Sequence, residues 1–351
     1  MPMQQSRFRR RLSVVLNSKS FQLATITALL LIVVGIFSPG SLNQFNFRLQ
    51  FNFLMLTGVV VCGIAPLLMG GGFDFAAGAF GSASALLFGQ LLVMFPYVPW
   101  PALLPIVFIF AVALGLLNAL FCVKFNLVAF IATMGMSAVV NAAVNWNRNA
   151  MLLPVTNSSF YSLGNTFFFN VIPLNFFVMV VMVALYSLML SKSKFGRNLM
   201  ACGSNAQAAR LAGLNPNRMK TIMYINSSVV GAIAGLMAAA RIRNVGPGMW
   251  AMAGDGDPAM SALVAGMLGG AMFGNQGFLH GALFGAIMVR TVAFTLIQLG
   301  ADVWVTSLLN GAVMLVSISL DMAIMRIRMR RAGVKGNAPG TNMVMPGVSR
   351  N

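Results

Sequence analysis

The chain has 351 residues, 58% hydrophobic and 8% charged, against about 25% charged in an ordinary soluble domain, so most of its surface must face lipid. Its acids are five Asp and no Glu, its single histidine is His280, and Cys62, Cys122 and Cys202 show neither pairing nor metal-ligand spacing. These shortages argue against a hydrolytic or redox enzyme, and the net charge of +18 lies in clusters flanking apolar runs rather than in a nucleic-acid groove.

A bilayer core takes about 20 apolar residues per helix. On that length the sequence predicts ten spans: 21–37, 51–69, 74–95, 100–122, 126–144, 171–190, 221–240, 259–273, 279–298 and 303–324. The first reads as a retained helix rather than a cleaved signal, because no small-x-small site follows its long apolar run before Ser38 and Pro39. The expected organisation is a basic segment 1–20, a transmembrane domain 21–325 and a basic, disordered tail 326–351 suited to anionic headgroups. With the amino terminus inside, eighteen of the 23 basic residues fall in cytoplasmic segments, while Arg48, Arg148, Arg241 and Arg243 stay outside and Arg290 lies in a span. The bias places both termini and the 191–220 loop in the cytoplasm. The outer loop 145–170 is rich in Asn, Ser, Phe and Tyr and reads either as a solvated connection or as a partner surface.

Two stretches interrupt the apolar spans with glycine, Met69 to Gly89 and Gly266 to Ala286, and their similar spacing suggests an internal repeat. Paired interruptions in the two halves of a transporter mark a pathway, although close helix packing also explains such glycines. Gly71, Gly72, Gly78, Gly269 and Gly270 are accordingly candidates for a gate. Asp74, at a membrane boundary, is either the cap of the third span or a functional charge, with the capping role favoured. Polar residues inside spans, among them Asn118, Asn126, Thr133, Ser137, Asn141, Asn226, Ser227, Ser228 and Asn310, either face a channel or bond a neighbouring helix. Asn118 and Asn141 are carried forward as pathway candidates.

The segment Ser191 to Lys220 is polar, carries six basic residues and is bounded by long apolar runs, so it must lie in water. Within it Asn205 is placed to cap a short helix AQAARLA, Gly213 to end it, and Pro216 to prevent its continuation. Taken alone, the segment has a second reading, an Ala-rich connection between two spans. The pattern from Gly203 to Asn215, with Asn205, Ala208, Ala209 and Gly213 between, resembles the coupling-helix signature of the ribose-type sugar permeases of ABC importers. Gly71, Gly72, Asp74 and Gly78 match a second motif of that family, with Ala76 in place of its Ser, and the similarity runs over about 45–325.

The resemblance implies an all-α, polytopic permease of the type II ABC importer kind, with about ten transmembrane helices in the bacterial inner membrane. It implies that Gly203, Asn205, Ala208, Ala209, Gly213 and Asn215 meet a cytoplasmic ABC ATPase. A periplasmic substrate-binding protein would deliver a sugar or sugar-like solute, and a second permease chain would complete the path. No cofactor is expected on this chain: it has no G-x-x-x-x-G-K-[ST] motif, so ATP and Mg belong to the ATPase partner. Two acids expected by the family are here Ala259 and Ser261, and homodimer or heterodimer stays open. The competing class is an ATP-independent secondary transporter or channel, disfavoured by the scarcity of ionisable groups within spans.

Overall fold

The computed structural model describes residues 19–301, apart from 39, 150, 254, 255 and 272–278, together with single positions 305, 308, 311, 312, 315 and 319. Apart from those single positions the predicted span 303–324, with Asn310, lies outside the described residues, as do the tail from 326 and the amino-terminal segment before Lys19.

Eight described helices are long and apolar enough to cross a membrane once a continuing turn is counted. They include α1 (Lys19–Phe37), α2 (Gln44–Met69), α3 (Ala77–Met94) and α4 (Trp100–Ala119), the last prolonged by a π-turn at Leu120–Lys124. Next comes α5 (Ala129–Arg148), followed by the short α6 (Ser158–Asn165) and the spanning α7 (Leu174–Lys192). The predicted loop 191–220 is two helices, α8 (Lys194–Ser204) and α9 (Ala206–Leu211), and α10 (Pro216–Ile242) begins inside it. The one-turn α11 (Met249–Met252), α12 (Pro258–Leu268) and α13 (Leu279–Gln298) complete the described helices.

Pro216 corrects one expectation. Its missing N–H makes it the first residue of α10 behind the Asn215 cap, where no amide bond is lost, rather than a stop after α9. The predicted span 259–273 is corrected as well. Its helix, α12, has 11 residues, about 16 Å at 1.5 Å per residue, roughly half a bilayer core. Among the described residues before it, from Val245 to Asp257, the only helix is the one-turn α11. Val245 sits against Gly89, near the end of α3, whereas Asp257 sits against Gly78, at its start. The chain between them therefore re-enters the molecule along most of α3.

The bundle is built around α10. Gly231 lies so close to Ala77 of α3 that a methyl group would overlap its carbonyl, and Gly235 stands in the same relation to Gly81. On its other sides Gly63 of α2 meets Ser227 and Val230, and Gly115 of α4 meets Tyr224, Ile225 and Ser228. Small residues let backbones approach in lipid, where burial of apolar surface no longer drives helices together. Ser228 adds a 2.6 Å hydrogen bond to the Ala111 carbonyl of α4.

The predicted outer loop 145–170 is packed structure. Strand β1 (Leu153–Pro154) pairs antiparallel with β4 (Asn244–Val245), and β2 (Phe167–Phe168) pairs with β3 (Ile172–Pro173). Phe160 of α6 packs on Phe88 and Trp100, and Asn165 donates to the Ala240 and Arg241 carbonyls that end α10. This loop closes one end of the bundle rather than trailing in solvent.

Replacing Gly235 with Val should lower the unfolding temperature of the detergent-purified chain by several degrees, the effect of overpacking worth about 1–3 kcal/mol. Gly135→Ala, which meets open space within its helix, should leave the midpoint unchanged or slightly raised in the same thermal melt.

Candidate functional site

Helix α9 is held at both ends. The Asn205 side chain accepts from the Gln207 and Ala208 amides, each at 3.0 Å, as an N-cap should. At the other end Gly213 takes a left-handed φ of +80°, its N–H reaches the Arg210 carbonyl, and the Leu214 N–H reaches Ala209. That pair of bonds is a Schellman stop, which favours glycine because a Cβ strains the left-handed conformation. Two residues later the Asn215 side chain accepts from Arg218 and starts α10. The turn is therefore six residues long and joined to a 27-residue rod with almost no slack.

The predicted coupling residues fall together in this segment but have different surroundings. Ala209 is 5% exposed and faces the chain, so it seats α9, whereas Gln207, Ala208, Arg210 and Leu211 face outward. Leu211 is 87% exposed. Gly203 lies in the last turn of α8, whose Leu199 is fully buried against Gly70 at the end of α2. Cys202, on the same helix, is buried, and burial pushes its thiol above the ordinary range, so it is a packing group rather than a nucleophile.

The second predicted group gathers at the end of α2. Gly70 caps that helix, Gly71 takes φ +80°, the Gly71 N–H reaches Leu68 and the Gly72 N–H reaches Leu67. The chain then turns back through Asp74, which is fully buried. The favoured expectation for Asp74 needs one correction. Ala76, not Asp74, occupies the N-cap of α3, and the Asp74 Oδ1 accepts from the Ala76 amide at 2.8 Å. The same oxygen accepts from the Asn118 side chain of α4 at 3.0 Å. Phe75 donates to the Thr133 hydroxyl of α5, and Tyr224 of α10 donates to the Phe73 carbonyl. Each end of the 73–76 turn is thus tied to a different helix.

Gly269 and Gly270 repeat the Gly70–Gly71 arrangement: Gly269 caps α12, Gly270 has φ +83°, the Gly270 N–H reaches Met267, and the Ala271 N–H reaches Gly266. Gly266 lies against Leu68, so the two broken ends are neighbours. Gly269 itself packs on Gly281 of α13 rather than on the Asp74 turn. Gly78 and Asn141 come together differently, as walls of a polar cavity between α3, α5 and the re-entrant segment.

Two other polar span residues are tied to neighbours. Asn226 accepts from the Tyr186 hydroxyl of α7, and Ser228 is bonded to α4. Trp250 and Asp257 escaped sequence reasoning. Trp250 donates to the Gly78 carbonyl and the Ser82 hydroxyl, partners some 170 positions away that no local pattern announces. Asp257 carries a usable signal, an acid directly before Pro, the N-cap and first position of a helix, and its side chain accepts from Ala259. Among the described residues no group of His, Cys, Asp and Glu could hold a metal ion.

Residues 46–318 match the model of a family described as branched-chain amino acid transport system / permease component. Among curated proteins, the chain is 29% identical over 318 residues to the fructose import permease protein FrcC of Rhizobium meliloti, covering 86% of this chain and 85% of that one. It is 28% identical over 304 residues to the ribose import permease protein RbsC of Bacillus subtilis, covering 84% and 89%. It is 25% identical over 310 residues to the L-arabinose transport system permease protein AraH of Escherichia coli, covering 86% and 90%. No solved structure matches the chain.

Asp74→Ala orphans two buried donors, the Ala76 amide and the Asn118 side chain, and should cost about 2–4 kcal/mol of stability. Asn118→Ala should cost less. Combined, the two should fall short of the sum by about 1 kcal/mol or more, because they share one contact. Thermal unfolding of the four purified chains in detergent measures the cycle.

Proposed function

The chain belongs to the family of branched-chain amino acid transport system / permease components, and from that premise we propose that the solute it passes is a monosaccharide. It is a multi-pass membrane protein and a permease subunit of an ABC importer, not an enzyme. The sugar assignment is supported by relatives named as fructose, ribose and arabinose permeases, each matched over more than four-fifths of both chains.

The observation that carries the working part of the reading is α9. A six-residue helix with both ends capped, an outward Leu211 and a short connection into α10 is a rigid knob on a rigid rod. We assign its outward face, with Gly203, Asn205, Ala208, Gly213 and Asn215 fixing its shape, to contact with an ATPase that holds the ATP and Mg. Ala209 seats the helix from within. The basic residues of 192–220 support a cytoplasmic position for α9 and for both termini. The α6 cap then faces outside, where a substrate-binding protein would dock. A second permease chain, identical or not, would complete the path.

The mechanism is rigid-body coupling. Closure of the ATPase would push α9, and α10 would rock with it, switching access between the two membrane faces. Proteoliposomes holding the whole importer, with ATP trapped inside and binding protein outside, should accumulate at least one of labelled fructose, ribose, galactose or arabinose. Vanadate should abolish that uptake and an uncoupler should leave it intact; the reverse pattern would make the chain a secondary transporter. Leu211→Asp should cut uptake at least tenfold while the chain still inserts in the membrane, as judged by uptake and by its amount in washed membranes.

A further inference from the structure

The polar cavity has a volume of about 250 Å³, just below the range for drug-sized ligand pockets, which runs from roughly 300 Å³ upward. One wall is α5, which presents Ser137, Asn141 and Asn145 at four-residue intervals and therefore on one face. Facing them are Gly78 and Ser82 of α3 and the indole of Trp250, and Asp257 lies at the start of α12. A second, smaller cavity between α1, α2 and α13 presents a mainly apolar surface from side chains such as Leu31, Phe47 and Phe51, with Arg290 also in its wall.

This lining is costly within a bilayer unless something polar fills it. Two carboxamides and a hydroxyl in register on one spanning helix lose their water in lipid, and a water-filled passage restores it. The Asn141 amide reaches the Ser137 hydroxyl only at 3.5 Å, and Asn141 and Asn145 are both exposed. The Trp250 ring is fixed, since its N–H is committed to Gly78 at 2.9 Å and Ser82 at 3.1 Å.

The chemistry of the lining selects the occupant. Carboxamides and hydroxyls both donate and accept, as each hydroxyl of a sugar does, and an indole offers an apolar wall to the C–H side of a ring. Among the described residues no Lys or Arg lines the cavity, and the charged group in its wall is the Asp257 carboxylate, which disfavours sugar phosphates and sugar acids. We infer that this cavity is a resting place for one neutral monosaccharide in transit, with Asn141 and Asn145 bonding its hydroxyls and Trp250 walling its apolar side. The inference rests on the importer reading and adds the place and charge of the cargo. The site must be weak, because a solute held tightly in mid-passage would not leave.

The test uses the complete importer in proteoliposomes, with whichever of labelled fructose, ribose, galactose and arabinose the wild-type complex accumulates fastest. Asn141→Leu should lower the maximal uptake rate about tenfold, the loss expected from one buried hydrogen bond. KM should stay within about twofold, because capture is performed by the binding protein. ATP hydrolysis should also persist within about twofold, which a misfolded chain would not show, and Asn141→Gln should recover most of the rate. Wild-type uptake by a chain carrying both Asn141→Leu and Asn145→Leu overturns the cavity assignment. As a second measurement, Asn141→Cys, in a chain with its native cysteines replaced by alanine, should react with a charged thiol reagent several-fold more slowly under saturating sugar. An unchanged rate also overturns the assignment. A wild-type complex that accumulates no sugar of the four overturns instead the importer reading beneath it.

Discussion

In hydrocarbon every backbone N–H and C=O must find its partner within the protein, and this rule governs where the chain can break. Both described breaks at the centre of the molecule use one solution. Helices α2 and α12 end on glycine doublets with the same two bonds, Gly71 to Leu68 with Gly72 to Leu67, and Gly270 to Met267 with Ala271 to Gly266. An acid lies just before α3 and just before α12, although of the two only Asp257 is an N-cap. Asp74 and Asp257 each accept from the amide two residues on, Ala76 and Ala259, before α3 and α12. Two of the five acids are thereby used as acceptors for helix starts, which explains why a chain so poor in acids keeps these. The repeat suggested by glycine spacing is a repeat of helix-ending geometry.

Once the breaks are satisfied, packing depends on how closely backbones meet. Helix α10 touches α3 through Gly231 and Gly235 with no side chain between, and it meets α2 and α4 where Gly63 and Gly115 stand. Contacts of this kind have little compliance, because there is no rotamer to readjust. Polar bonds then fix position: Ser228 on Ala111, Tyr224 on Phe73, and Asn118 on Asp74. Ser228 and Asn118 are among the side chains whose polarity within apolar spans invited a channel reading, and each is bonded to another part of the bundle.

What was legible in the sequence was local. Asn205, Gly213 and Asn215 act through neighbours at fixed offsets, so capping chemistry located α9 to within a residue. Span lengths followed from apolar runs, because lipid imposes a length. The half-length α12 was not legible. The stretch 259–273 is apolar enough to cross, and only the tertiary placement of Asp257 against Gly78 shows that the helix starts deep in the bundle. Trp250 was missed for the same reason. In a Gly- and Pro-rich connection an aromatic reads as interfacial, and its role rests on a contact with α3 remote in sequence. The α8 helix was hidden by its polarity: its few apolar residues, Leu199 among them, are buried on one side only.

The geometry joins the proposed coupling surface to the proposed cargo cavity by a short route of stiff parts. A displacement of α9 enters α10 through a four-residue connection that ends in the Asn215 cap. Along α10 it meets α3 at Ala77 and Gly81 through glycine contacts that cannot absorb it. The next residues of α3, Gly78 and Ser82, are the wall of the cavity and the partners of Trp250. Leu199 against Gly70 offers a parallel route, from α8 to the end of α2 and so to the Asp74 turn. A motion of α9 therefore has few places to dissipate before the cavity wall moves. Helices α3 and α5 are themselves packed through Ala79, Phe80, Met136 and Val140 and joined by the Gln90 to Asn147 hydrogen bond, and the Asn141 stripe lines the gap left beside the re-entrant segment. A weakly held neutral sugar in the gap is the cargo such a device can release, because the bonds that break are few and individually small.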